Sequence, residues 1–306
     1  MEENRKENTK ENTKENTIKR EKKSVGKAKT VLIQILKAAC YVGLYFGMQV
    51  AISVVFTMVC SFKLGIEMGL AGQTELINDQ AYIYDRLVTE VTALTPVILI
   101  VSGIFSMLAL WLFFVIRKKK FLKEAQLRKF TPGNWVPILC GSVALCFFIN
   151  FGLNLLPIPE EVLSSYQESS EALLSGPFWI LFLSNVVMAP VCEEIIFRGL
   201  VFDRLKKAMP VWPAIFITSL IFAVMHGQVL WMCYTFLVGI VLCVVENKAD
   251  SILASIIVHM LFNLFGTCIA SLFDEVTVLV CVGLTLVGFI ALVLTFFSTR
   301  VSRIGS

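Results

Sequence analysis

Apolar positions in this chain fall in long uninterrupted runs, not in the spaced patterns of half-buried helices or strands. The runs at roughly 33–61, 93–116, 135–156, 177–199, 251–272 and 277–298 each supply the roughly 20 apolar residues that a membrane-spanning helix needs. A further run, 211–245, would be about 52 Å long as a single helix, against a hydrocarbon core of about 30 Å. It is therefore expected to fold back near Gly227, Gln228 and Trp231. The pattern predicts an all-α fold, a polytopic bundle of about eight transmembrane helices. The polar stretch 63–92 is long enough to hold an interfacial helix.

Composition agrees with lipid as the main solvent. Of 306 residues 57% are hydrophobic and 16% charged, with a mean hydropathy of +0.76. That balance argues against an ordinary soluble enzyme, a disordered chain or a nucleic-acid-binding module. The nine cysteines are scattered and form no CxxC pair, so neither a disulfide framework nor a thiolate metal site is expected.

Charge supplies the orientation. The net charge of +4 arises in residues 1–29, where ten Lys or Arg oppose six Glu and Lys-Glu-Asn-Thr recurs at 6, 10 and 14. Such a segment has little to bury, so residues 1–30 are expected to be a disordered basic tail and 31–306 the membrane domain. Basic loops at Arg117-Lys118-Lys119-Lys120, at Arg204 with Lys206 and Lys207, at Lys248, and at Arg300 with Arg303 alternate with acidic ones. The acidic loops hold Glu67, Glu75, Asp79 and Glu90, then Glu160, Glu161, Glu168 and Glu171, then Asp274 and Glu275. With basic loops inside, eight spans place both termini in the cytoplasm. All five tryptophans sit near expected span ends.

Ionisable residues inside spans are costly and by default mark function. The fourth span carries Cys192-Glu193-Glu194-Ile195-Ile196-Phe197-Arg198-Gly199, and the chain's two histidines, His226 and His259, both stand in apolar runs. On a helix Glu194 and Arg198 share a face and can pair, while Glu193 turns about 100° away toward another partner. Phe222 with His226, and His259 with Asn263, are also four apart. Two imidazoles, a spare carboxylate and an amide can activate water, bind a metal or donate to a developing oxyanion. Structural readings stand beside this one. Glu194 with Arg198 can be a packing pair, either histidine a helix-bridging donor, and Arg198 a snorkelling side chain. Asn150, Asn154 and Asn185 are read as interhelical packing residues, and Phe222 as a pocket wall.

The ordered set Glu193-Glu194-x-x-x-Arg198, Phe222-x-x-x-His226 and His259-x-x-x-Asn263 resembles the signature of the CAAX prenyl protease and bacteriocin-processing family of intramembrane peptidases, with the likeness carried by about 135–272. The resemblance implies an endopeptidase of the cell membrane acting on a membrane-associated or apolar peptide, of CAAX type or bacteriocin or leader type. It implies Glu193 as general base with His226 aiding water activation, His259 and Asn263 holding the oxyanion, and Glu194, Arg198 and Phe222 as structural support. Both metal-dependent and metal-free mechanisms are compatible with it; a bound Zn2+ would take Glu193, His226 and His259, leaving a position for water. No His-Glu-x-x-His motif is present. Expected partners are the lipid bilayer and a peptide substrate, not nucleic acid. The rivals are a non-catalytic bacteriocin-immunity protein on the same scaffold and a proton-coupled transporter. Counted from the basic ends, His226 lies deeper than Glu193 and His259. Convergence therefore requires a displaced fifth span or a fourth helix reaching past Arg204.

Overall fold

A computed structural model describes the backbone of residues 2–72, 79–272 and 277–299, and the side chains of 26, 28–72, 79–267 and 277–299. The expected loop charges Glu75, Asp274, Glu275, Arg300 and Arg303, and the side chains of the basic head up to residue 25 with Lys27, lie outside these residues. Every regular element described is helical: α1 (Glu2–Leu70), α2 (Gln80–Ala93), α3 (Thr95–Ile116), α4 (Phe121–Glu124), α5 (Trp135–Leu153), α6 (Glu160–Leu174), α7 (Phe178–Ala208), α8 (Val211–Val224), α9 (Val229–Ala249), α10 (Ile252–Leu272) and α11 (Val278–Ser298).

Six described helices are long and apolar enough to cross a bilayer, α1 from Ala28, α3, α5 (with the preceding turn), α7, α9 and α11, and α8 and α10 are further apolar helices. The protein is a multi-pass membrane protein. Large apolar side chains such as Met58, Phe62, Trp179, Leu279 and Phe297 face outward, as lipid requires, while Ser102, Ser106, Ser142, Thr218 and Ser219 are buried between helices. Small hydroxyl residues at helix contacts let backbones approach, and some satisfy their own O–H on a preceding carbonyl, as Thr218 does on Ala214 and Ser142 on Ile138, both at 2.7 Å.

The fold-back occurs at Gly227, whose φ of +72° only a residue without a side chain adopts freely. The Gln228 side chain then accepts from the Trp231 N–H at 2.8 Å and caps α9. The stretch after α1 does hold a helix, α2, capped by Asp79, whose carboxylate accepts from the N–H groups of Ala81 and Tyr82. α6 was not foreseen: its apolar residues are too few for a span, yet Glu160 and Glu161 in its first turn complement the helix dipole. α1 runs without a break through the head expected to be disordered, whose Lys-Glu-Asn-Thr repeat contains no proline to interrupt a helix.

The buried side chains form two main cores, the first of them built on α7. One joins Tyr41 and Tyr45 of α1 and Leu110 and Phe114 of α3 to Ile196, Phe197 and Leu200 of α7 and Phe222 of α8. The other joins Leu145 and Ile149 of α5 to Leu242 of α9 and Val258 and Phe262 of α10. α7 is held at its basic end by the α4 turn. A Cβ on Gly199 would come within 2.4 Å of the Ala125 carbonyl oxygen, so only glycine admits that close crossing.

Beside that crossing, Glu124 bridges Lys119, at 2.9 Å, and Arg204. Partial burial alone would raise the Glu124 pKa, but hydrogen bonds and charge from Lys119 and Arg204 outweigh it and hold the carboxyl below its ordinary range. A lowered folded-state pKa gives stability that is present above the unfolded value, about 4.3, and lost as pH falls through the folded one. Glu124→Gln is therefore expected to lower the melting temperature in detergent at pH 7, with the deficit shrinking as the pH drops below about 4. A deficit independent of pH would show that the charge of Glu124 does not matter.

Candidate functional site

α7 places the acidic pair and widens into π-helix twice, over Phe182–Met188 and again over Ile195–Phe202; the first widening follows from one residue. Pro190 stands inside the helix without an N–H, and the turns before it, Phe182–Met188, widen into π-helix. The Ala189 N–H bonds back to the Ser184 carbonyl. The Asn185 carbonyl would next be met by the N–H of residue 190, which proline lacks, so it is left without a partner inside the helix. The Asn263 amide of α10 supplies one, with Nδ2 donating to the Asn185 oxygen at 2.7 Å. Asn185 in turn donates from its own side chain to the Leu173 carbonyl of α6 at 3.0 Å. Asn185 is thus an interhelical tie. Asn150 and Asn154, read alongside it, instead bond the carbonyls of Cys146 and Asn150 within their own segment. A long carboxamide side chain on a helix reaches the carbonyl one turn back before it reaches a neighbour.

A turn further along α7, Glu194 and Arg198 are both fully buried and paired, Arg198 Nη1 to Glu194 Oε1 at 2.8 Å. Arg198 does not snorkel to an interface. Its Nη2 donates to the Gly239 carbonyl of α9 at 3.3 Å, and its guanidinium carbon lies 4.3 Å from the centre of the Phe222 ring. A desolvated cation over an aromatic face is worth up to about 2 kcal/mol. Gly239 permits the approach, since a Cβ there would already stand 3.0 Å from that of Ser219.

Phe222 is the hub of the cluster. His226 packs edge-on to it at 4.7 Å between ring centres, His259 at 5.9 Å, and Phe197 at 5.1 Å. Each imidazole is oriented by one nitrogen. His226 Nδ1 lies 2.8 Å from the Phe222 carbonyl oxygen, an acceptor only, so Nδ1 donates to it and, in the neutral ring, Nε2 is the nitrogen with the lone pair. His259 Nδ1 lies 2.9 Å from Glu194 Oε1 and donates to it, while Nε2 faces Glu193 Oε2 at 3.8 Å. That second distance is too long for a direct hydrogen bond. Glu193 is half-buried, in contrast with its fully buried neighbour.

Of the two expected routes to convergence, the longer fourth helix is present. α7 continues to Ala208, beyond Arg204, and α8 ends at Val224 after 14 residues, about 21 Å, so that His226 lies in the turn that follows it. What sequence reasoning missed are main-chain groups, the carbonyls of Asn185 and Gly239, and Tyr45 of α1, which is buried with its ring edge-on to Phe197 at 6.5 Å. A proline five residues after Asn185 was the available signal for the first.

A zinc ion would need three ligands converging within a few ångströms. Among the described residues no three His, Cys, Asp or Glu side chains are grouped closely enough to hold one. Glu193 and His259 approach each other, but Glu193, His226 and His259 do not form a metal-binding set in this arrangement.

Residues 175–265, which contain Glu193, Glu194, Arg198, Phe222, His226, His259 and Asn263, match the family model described as type II CAAX prenyl endopeptidase Rce1-like. The resemblance read from the three motifs is thereby shown over that segment, which is similar to CAAX-type intramembrane proteases. Among curated proteins, the UPF0177 protein YxdF of Lactococcus lactis subsp. lactis (strain IL1403) is 26% identical over 154 residues, covering 48% of this chain and 85% of that protein. The UPF0177 protein YbdI of the same strain is 27% identical over 130 residues, covering 42% of this chain and 68% of its own length. No solved structure matches the chain.

Proposed function

We propose that the protein is an intramembrane endopeptidase that hydrolyses a peptide bond in a membrane-associated or apolar peptide, of CAAX or leader type, with its catalytic core in 135–272 and both termini cytoplasmic. The observation that carries the reading is His259 set between two carboxylates, Nδ1 at 2.9 Å from Glu194 and Nε2 at 3.8 Å from Glu193. A purely structural histidine needs one partner, and Glu194 already provides it.

In this reading Glu193 removes a proton from a water molecule, assisted by the Nε2 lone pair of His226. The hydroxide attacks the scissile carbonyl carbon. The oxyanion is held by His259, acting with both nitrogens protonated, and by the second amide hydrogen of Asn263, whose first is occupied by the Asn185 carbonyl. Glu193 then delivers its proton to the departing amine nitrogen as the C–N bond breaks. Glu194, Arg198 and Phe222 touch no substrate; they fix the ring of His259.

The same carboxylates and imidazoles could pass protons in a coupled transporter. Purified protein in detergent has no gradient to use, so cleavage of a peptide there supports the hydrolase. Substrate movement that occurs in proteoliposomes only under a proton gradient, with no cleavage in detergent, refutes it. The immunity reading predicts no turnover in either setting.

A further inference from the structure

At the basic end of the bundle, well away from the site above, α1, α3 and α7 enclose a cavity of about 300 Å³. Its walls are Ile33, Leu36, Cys40, Tyr41, Phe113 and Phe114, and its polar rim is Lys37, Arg117, Lys119 and Arg204. Arg204 lies eleven residues beyond Glu193, about 16 Å along the helix, so the two sites are separate.

The charges at this rim do not cancel. Glu124 pairs with Lys119 and Arg204, and Asp203 is shared between Lys207, at 2.6 Å, and Arg204, at 3.7 Å. No carboxylate pairs with Lys37 or Arg117 among the described residues; Arg117 lies over the Phe113 ring at 5.4 Å. Arg204 itself is only 6% exposed, and its Nε has no hydrogen-bond partner. A buried guanidinium nitrogen left without an acceptor is an uncommon and costly arrangement, which a bound anion would relieve. The cavity wall supplied by Ile33, Leu36 and Cys40 is at the same time exposed on the outer, lipid-facing surface of α1. An occupant can therefore enter sideways from the bilayer with an apolar part inside and a negative head among the cations.

We propose that this cavity is a binding site for an anionic phospholipid, its phosphate held by Lys37, Arg117 and Arg204 and the start of an acyl chain lying against Leu36, Tyr41 and Phe114. Basic pockets between spanning helices on the cytoplasmic side suit such headgroups, and each cation near the surface contributes roughly a fivefold gain in affinity.

The test uses the full purified chain in a neutral detergent, titrated with phosphatidylglycerol, phosphatidylcholine or inorganic phosphate, with melting temperature and bound lipid by native mass spectrometry as readouts. Phosphatidylglycerol is expected to bind and to raise the melting temperature, and the other two are not. The double substitution Lys37→Gln with Arg117→Gln is expected to weaken phosphatidylglycerol binding about 25-fold, from two charges removed. Should that variant fail to purify, Cys40→Trp, which fills the cavity and leaves every charge in place, is expected to show the same loss. Equal stabilisation by phosphatidylcholine, equal protection by inorganic phosphate alone, or undiminished binding by the substituted protein would each overturn the proposal.

Discussion

Glu193→Gln is expected to reduce peptide hydrolysis by about 10²- to 10⁴-fold, the range that a positioned general base supplies. The substitution keeps the shape of the side chain and removes only its ability to take a proton. Glu193 is half-buried and makes no short hydrogen bond, its nearest described partner being His259 Nε2 at 3.8 Å. The protein should therefore express, purify and melt much as the parent does. The measurement is single-turnover cleavage by both proteins in the same detergent. Unchanged cleavage would remove Glu193 from the role of base.

The second large effect is on stability. Arg198→Met takes the guanidinium away from the fully buried Glu194, and breaking a buried pair from one side costs about 3–5 kcal/mol. Loss of the guanidinium from the Phe222 face and from the Gly239 carbonyl acts in the same direction. A sharply lowered melting temperature is expected. Adding Glu194→Gln to Arg198→Met removes the orphaned charge and should restore part of the stability. It should not restore activity, since His259 then loses the carboxylate that orients its ring. This split separates a scaffold pair from catalytic groups: if the double variant recovered both stability and cleavage, the orientation of His259 by Glu194 would be irrelevant to function.

The spans were legible because lipid imposes a length and a polarity on each helix that no other solvent does. The fold-back at Gly227 followed from a run too long for one crossing, and the glycine's positive φ is its physical expression. The pairing of Glu194 with Arg198 was available from their spacing alone, whereas the seat of Asn263 was not. It depends on a carbonyl orphaned by Pro190 on a different helix, and pattern reading follows side chains more readily than main-chain groups. α6 escaped notice because its apolar residues are too few for a span, and its ties, Tyr166 edge-on to Trp231 and the Leu173 carbonyl that receives Asn185, exist only in the fold. The buried guanidinium of Arg204 was equally hidden. In sequence it is one basic residue of a cytoplasmic loop, but α7 continues past it and carries it into the protein.

The most direct test of the hydrolase is cleavage in water enriched in oxygen-18, using purified protein in detergent with no ion gradient and an apolar peptide substrate. Fragments whose new carboxylate carries solvent oxygen are expected from the parent protein and not from Glu193→Gln. No cleavage without a gradient, or cleavage at equal rate by both proteins, would contradict it.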